Sequence, residues 1–104
     1  AAVSHLPHLL AFAAVNALTS QPQGAAFLEM AGPGFRDFTR IAASSPEMWR
    51  DICLANRTAI LKEMDQYLSV AGHLRELIAN EDAAGLEKAF TKASKARQAW
   101  DGSK

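Results

Sequence analysis

The chain has 104 residues, enough for one domain with a modest hydrophobic core and too few for two. Its 11 Lys and Arg are balanced by 11 Asp and Glu, so the composition does not favour nucleic acid as a partner. No apolar run approaches the roughly 18 residues that a membrane span needs, because Pro7, His8 and Asn16 interrupt the best candidate. The single Cys53 has no disulfide partner, so we expect a reducing compartment and a cytoplasmic location.

The chain is predicted to be helical almost throughout, since no stretch alternates apolar and polar residues over the length of a strand. A first helix is expected over residues 5–18, with Ser4 as its N-cap and Pro7 in its first turn. Its apolar side chains spread around most of the circumference, which indicates a helix that is buried on most sides.

A second helical segment is expected to begin near Ala25 and to break near Pro33, because proline lacks a backbone donor and disfavours helix before it. The helix should resume over residues 35–43 and stop at the Ser44-Ser45-Pro46-Glu47 sequence. Those four residues are typical of a helix start, with serine caps, an early proline and a carboxylate at the positive end.

Three charged residues lie among the apolar residues of this third segment. If it is helical, Arg36 and Arg40 share a face, and Asp37 lies three residues before Arg40. Two guanidinium groups on one face beside apolar rings suit a planar carboxylate ligand. The alternative is a solvated surface helix with one Asp37–Arg40 ion pair, and spacing alone leaves both interpretations open.

From Pro46 the helical pattern continues to about Asn80, with Gly72 as its only weak position. A single helix of that extent would be about 50 Å long, more than so small a domain can cover by itself. Apolar residues recur along it in two heptad-like rows, so a second copy of the chain is the simplest partner for it; they are Cys53, Ile60, Tyr67 and Leu74 in one row and Met64, Ala71 and Ile78 in the other. The alternative is a break into two helices near Gly72.

A last helix is expected from about Asp82 to about Trp100, because basic residues gather toward its end. The predicted fold class is therefore all-α, a helical domain with one long helix in an intertwined homodimer.

The other chemical signals are weak. His5 and His8 have a spacing that two metal ligands could use, but no third ligand accompanies them, so no metal site is predicted. No glycine-rich phosphate loop is present in the sequence, so no cofactor site is predicted either.

Two blocks of the sequence, SHLPHLLAFAAVNAL at residues 4–18 and GFRDFTRIAASSPEMWRDI at residues 34–52, resemble the C-terminal domain of prephenate dehydrogenase. The resemblance extends over nearly the whole chain. It implies oxidative decarboxylation of prephenate to 4-hydroxyphenylpyruvate in tyrosine biosynthesis, with NAD or NADP as hydride acceptor. Arogenate dehydrogenase is the related alternative, and the sequence leaves open the choice of substrate, the choice of cofactor and feedback inhibition by tyrosine.

The resemblance also implies how the enzyme is divided. In this family an N-terminal dinucleotide-binding domain carries the cofactor and the catalytic histidine, and the helical domain forms the dimer and closes over the substrate. Residues 1–104 are therefore expected to be the helical dimerisation and prephenate-binding domain, with no cofactor site and no catalytic residue of its own. The chain should be inactive without the dinucleotide-binding domain.

On the matching positions, the resemblance implies that Arg40 holds a prephenate carboxylate. It also implies that His5 or His8 lines the same pocket, without choosing between them. Arg36 would reach the pocket of the neighbouring subunit.

Asp37 and Trp49 resemble residues that gate the pocket entrance in the family; from its residue type alone, Trp49 is a core anchor. The alternative hypothesis is that the chain is a non-catalytic helical dimerisation module. In that case the charged residues Arg36, Asp37 and Arg40 form only an ion network between subunits.

Overall fold

The computed structural model describes residues 1–100, and their secondary structure is entirely helical, which confirms the predicted all-α class. Six α-helices and one 3-10 helix follow one another in this part of the chain. They are α1 (His5–Thr19), α2 (Gly24–Glu29), α3 (Pro33–Thr39), the 3-10 helix (Arg40–Ala43), α4 (Pro46–Ala55), α5 (Arg57–Ala79) and α6 (Ala83–Ala99). None of these helices is both long enough and apolar enough to cross a membrane.

The chain divides into two compact units, of which the first comprises Ala1–Met64 and the second begins at Asp65. In the first unit α1 is central, because α2, α3 and the 3-10 helix all pack against it. The buried apolar side chains of residues 1–100 are Ala11, Trp49 and Ile60, and all three belong to the first unit. The core of the described residues therefore lies in the first unit, to which α1 belongs.

Helix α1 has the predicted extent to within one residue and the predicted N-cap residue, Ser4, but its cap bond and its burial differ from expectation. The Ser4 side chain makes no capping hydrogen bond; instead its backbone carbonyl accepts a hydrogen bond from the His8 ring. Only Ala11 is buried, so the helix is not buried on most sides within one chain. Its large apolar side chains are half-buried, namely Leu6, Leu9, Leu10, Phe12, Val15 and Leu18.

The predicted break near Pro33 is confirmed, with Gly32 extended and Pro33 as the first residue of α3. The helix that follows was expected to reach Ala43, but the α-helix ends at Thr39 and a 3-10 helix completes the segment. The Thr39 hydroxyl donates to the Phe35 carbonyl over 2.7 Å. A threonine hydroxyl bonded four residues back competes with the backbone ladder, which accounts for the tighter turn.

The predicted helix start at Ser45-Pro46 is confirmed, since the Ser45 hydroxyl accepts from the Met48 backbone N–H over 3.3 Å. The single helix expected from there to Asn80 is wrong. Helix α4 ends at Ala55 and α5 begins at Arg57, so the break lies at Asn56. The 23 residues of α5 make it about 34 Å long.

The break at Asn56 has a local cause. Its side-chain amide donates to the Ile52 carbonyl over 3.0 Å, the same oxygen that accepts its backbone N–H. An asparagine side chain competes with the backbone for such carbonyl oxygens, and the Asn56 φ of −117° and ψ of 30° depart from helical values. Gly72 lies inside α5, so the alternative break near Gly72 is also wrong.

Helix α6 begins and ends as predicted, and its start is formed by a short turn after α5. Glu81 adopts a left-handed conformation with φ of 52°, and the Asp82 carboxylate accepts from the Gly85 N–H over 2.9 Å. An aspartate in this position satisfies one of the free N–H groups of the first turn.

We predict that Gly24→Ala destabilises the first unit. A Cβ at Gly24 would lie 2.6 Å from the Thr19 Cα, a backbone atom that cannot move away cheaply. The expected loss in the free energy of unfolding is about 1–3 kcal/mol, measured by urea denaturation at fixed protein concentration. Gly34→Ala is the control, since a Cβ there meets nothing within 4 Å. Equal urea midpoints for both variants and the wild type would contradict the prediction.

Candidate functional site

Four aromatic rings meet in the first unit, where Trp49 of α4 packs against three residues of α1. Trp49 is 7% exposed. Its ring lies 4.2 Å from that of His8 at an interplanar angle of 21°, a stacked arrangement. Its contacts with His5 and Phe12 are edge-on, at 5.9 Å and 6.4 Å between ring centroids. We call these four residues the Trp49 cluster.

Helical periodicity explains why α1 can present three rings to one indole. His5, His8 and Phe12 follow one another at intervals of three and four residues, so they project from the same face of the helix. Both histidines and Trp49 are candidate site residues from the sequence, whereas Phe12 is not. The signal that could have identified Phe12 is this same spacing from the two histidines.

One hydrogen bond determines the protonation pattern of the His8 ring. The His8 Nδ1 lies 2.9 Å from the Ser4 backbone oxygen. A carbonyl oxygen can only accept, so Nδ1 must carry the proton in this contact. Neutral His8 is then the Nδ1–H tautomer, and its Nε2 is left as a hydrogen-bond acceptor.

Two polar atoms of the cluster are buried with no hydrogen-bond partner in the described part of the chain: His5 Nδ1 and Trp49 Nε1. Leaving such an atom unpaired costs about 1–3 kcal/mol of stability, so most buried polar atoms in native proteins have a hydrogen-bond partner. An indole N–H can only donate. An acceptor such as a carboxylate oxygen would therefore satisfy Trp49.

The charged residues predicted from the sequence lie on neighbouring elements. Arg36 and Asp37 belong to α3, and Arg40 opens the 3-10 helix that packs against α1; all three are exposed. The ion pairs found among residues 1–100 join Arg50 to Asp51 and Arg75 to Glu76. The Asp37–Arg40 pair weighed from spacing is therefore not formed, and the Arg40 guanidinium is open to an external anion.

The structure thus brings His5, His8 and Trp49 into direct contact, and it places Arg40 on an element packed against the same helix. It does not join Arg36, Asp37 or Arg40 to the cluster by any hydrogen bond among the described residues. Residues 1–100 contain no group of three or more potential ligands placed to hold a metal ion. Chemically, the arrangement offers two guanidinium groups without an ion pair in the described part of the chain, those of Arg36 and Arg40, and a set of polar ring atoms, which suits a small anionic ligand.

Comparisons with known proteins agree closely with one another. The family model described as the prephenate dehydrogenase dimerization domain matches residues 1–92. The chain is 35% identical over 101 residues to a cyclohexadienyl dehydrogenase of Zymomonas mobilis, covering 95% of this chain and 34% of the relative. It is 39% identical over 92 residues to a prephenate dehydrogenase of Bacillus subtilis, covering 88% of this chain and 25% of the relative. The chain spans about a third or less of the length of these relatives.

Two solved structures have the same fold. Prephenate dehydrogenase from A. aeolicus, in complex with hydroxyphenyl propionate and NAD+, matches with a TM-score of 0.84 and 40% identity over 95% of this chain and 35% of that one. Arogenate dehydrogenase from Synechocystis matches with a TM-score of 0.85 and 26% identity, over 93% of this chain and 36% of that one.

Proposed function

The chain belongs to the prephenate dehydrogenase dimerization-domain family, and from this premise we propose that it is the dimerising and substrate-binding domain of an NAD(P)-dependent prephenate dehydrogenase. The reaction is the oxidative decarboxylation of prephenate to 4-hydroxyphenylpyruvate in tyrosine biosynthesis, in the cytoplasm. The observation that carries the proposal is the match over residues 1–92, which includes both blocks of the site. Arogenate as substrate is the alternative, supported by the similarity to the Synechocystis enzyme.

In the proposed enzyme this chain binds the substrate, and a neighbouring domain binds the cofactor. Support comes from the A. aeolicus relative, which binds NAD+ in a chain of which this one covers 35%. NAD or NADP, bound by an N-terminal dinucleotide-binding domain, would accept the hydride, while the substrate ring loses its carboxylate as CO2 and becomes aromatic. This chain's residues would bind and orient the substrate, and none of them would be catalytic.

Arg40 is proposed to bind a prephenate carboxylate. It is exposed, it takes part in neither ion pair of the described residues, and it opens an element packed against the helix of the two histidines. A guanidinium can hold a carboxylate through two parallel hydrogen bonds, which orients the substrate as well as anchoring it. Arg36, exposed on α3, is proposed to reach the pocket of a neighbouring subunit.

His5 or His8 is proposed to line the same pocket, and Asp37 and Trp49 to control its entrance. Asp37 is exposed on α3 and forms no ion pair within the described residues, so its carboxylate is open to an external partner. Trp49 is 7% exposed and contacts three rings of α1, so it would limit the entrance as a fixed wall.

The reaction is tested with the full-length protein. Prephenate and arogenate are each offered with NAD+ and with NADP+, and reduced nicotinamide and the aromatic product are measured. We expect oxidation of prephenate with formation of 4-hydroxyphenylpyruvate. Faster oxidation of arogenate would select the alternative substrate. A folded dimer that oxidises neither compound would support the non-catalytic dimerisation module instead.

A second copy of this chain is the proposed partner of its exposed apolar residues. Several large apolar side chains of α5 lie in solvent in the single chain. They include Leu61, Tyr67, Leu68 and Ile78, which are 46%, 43%, 58% and 59% exposed. The family description as a dimerization domain supports a copy of the chain as the molecule that covers them.

We predict that Leu68→Asp weakens the dimer on the order of 30-fold, the effect of losing about 2 kcal/mol at a well-packed contact. A carboxylate at this exposed position should not disturb the fold of one chain, but it would be costly to bury against a partner. Sedimentation equilibrium over a concentration series measures the dimer dissociation constant. Met30→Asp is the control, because Met30 is 82% exposed and lies on α2's end rather than on α5. A wild type that stays monomeric at micromolar concentration would refute the proposed dimer.

A further inference from the structure

We infer that Trp49 is a positioning residue for His8, so that the indole fixes the orientation in which the His8 ring meets the substrate. The inference rests on the proposed function, since it concerns the substrate site of that enzyme. It assigns Trp49 a role that acts through another side chain, and it selects His8 rather than His5 as the histidine that is held ready for a ligand.

The first restraint on His8 is its hydrogen bond to the main chain. With Nδ1 donating to the Ser4 oxygen over 2.9 Å, one edge of the imidazole is attached to the start of α1. A single hydrogen bond defines the position of that edge but leaves the ring free to tilt about the donor–acceptor line. The tautomer is therefore determined, whereas the direction of Nε2 is not.

The second restraint is the indole of Trp49. It lies almost parallel to the His8 ring, at 4.2 Å between centroids and 21° between planes, and such stacking opposes tilting of the imidazole. Trp49 can serve as a rigid support because it is 7% exposed and is itself held edge-on by His5 and Phe12. Together the two restraints leave the His8 ring one plane and one tautomer.

The contrast with His5 supports the choice of His8. His5 meets the indole edge-on, at 84° between ring planes, and its Nδ1 is buried without a hydrogen-bond partner among the described residues. No hydrogen bond of the described residues orients the His5 ring. Because a site that is rigid before binding loses less free energy when the ligand arrives, the better-restrained histidine is the better substrate contact.

A double-mutant cycle in the full-length enzyme tests the inference. Trp49→Leu should lower kcat/KM for prephenate on the order of tenfold to a hundredfold, mainly by raising KM, because a misdirected hydrogen bond weakens substrate and transition state alike. His8→Phe removes the ring nitrogens but keeps an aromatic ring beside the indole. In the His8→Phe background, Trp49→Leu should therefore cause little further loss, since the two side chains act as one unit.

Two further variants separate positioning from general packing. Trp49→Phe keeps a flat ring under His8 and should restore most of the lost kcat/KM. Gly24→Ala strains the first unit between α1 and α2 but leaves the stacked pair, so it should lower the melting temperature with KM nearly unchanged. Nuclear magnetic resonance of 15N-histidine-labelled protein should show His8 as the Nδ1–H tautomer, with 15N relaxation of a rigid ring in the wild type and of a mobile ring in Trp49→Leu.

The inference would be overturned by an undiminished effect of Trp49→Leu in the His8→Phe background, because Trp49 would then act independently of His8. It would also be overturned if Gly24→Ala raised KM as much as Trp49→Leu does. If the wild type oxidised neither prephenate nor arogenate, the proposed function would fail, whereas the nuclear magnetic resonance comparison would still decide whether the indole orients His8.

Discussion

Replacing Arg40 with alanine in the full-length protein should lower kcat/KM for prephenate on the order of a hundredfold, which corresponds to about 2–4 kcal/mol of lost transition-state binding. The physical reason is the loss of a charge-assisted, two-point contact with a substrate carboxylate. Arg40 is exposed and forms no ion pair within the described residues, so its removal should cost the fold little. Steady-state kinetics, with KM for prephenate raised and the affinity for cofactor unchanged, measure the effect.

Conservative variants show whether the geometry of Arg40 or only its charge is required. Arg40→Lys should restore part of the loss, because an ammonium keeps the charge but not the planar fork. Arg40→Gln should be nearly as impaired as Arg40→Ala, with an unchanged melting temperature. Arg50→Ala is the control: this arginine is also exposed and pairs only with its neighbour Asp51.

The opposite pattern would favour the interpretation in which the charged residues only join subunits. In that case Arg40→Ala would dissociate the dimer or lower the melting temperature sharply, and the kinetics of the remaining dimer would be normal. Sedimentation and thermal unfolding of the same preparations distinguish the two results.

Replacing Trp49 with alanine should lower the free energy of unfolding by about 3–5 kcal/mol, the usual cost of removing a buried tryptophan. Trp49 is one of three buried apolar residues in the described chain, and it holds α4 against three rings of α1. The cavity left by its removal could not be filled without moving α1. Urea denaturation at fixed protein concentration measures the loss.

The second tryptophan provides a matched control. Trp100 is 59% exposed, and its principal contact is with the Arg97 guanidinium, 4.7 Å from its ring centroid. Because such an exposed cation–π contact is worth about 0.5–1 kcal/mol, Trp100→Ala should have a small effect. Equal losses in the two variants would mean that burial in the first unit does not explain the role of Trp49.

Local signals in the sequence were sufficient for the helical class and for most helix ends. Pro33 interrupts the helical pattern regardless of the tertiary structure, because a residue without a backbone N–H cannot donate a hydrogen bond to a preceding helix. The Ser45-Pro46 start and the Asp82 start depend on bonds that span three residues, from Met48 to Ser45 and from Gly85 to Asp82. Interactions this short are encoded in adjacent residues, so the sequence predicts them.

The position of the break between α4 and α5 could not be predicted in the same way. Gly72 was the expected weak point because glycine lowers helix propensity, but it keeps its backbone N–H and remains helical inside α5. Asn56 carries a side-chain amide that donates to the Ile52 carbonyl in addition to its own backbone N–H. Asparagine occurs inside helices as well as at their ends, so its residue type alone does not decide the outcome.

The sequence by itself determined an all-α chain, its family resemblance and the candidate site residues, because helix periodicity and the two family-like blocks are properties of neighbouring positions. Only the tertiary structure decided that Trp49 stacks on His8 while His5 meets it edge-on. It also decided that Arg40 stays unpaired within the described residues rather than bonding to Asp37. These arrangements depend on how α3, the 3-10 helix and α4 pack against α1. Contacts between residues that are distant in the chain leave no local sequence pattern, so the sequence does not predict them.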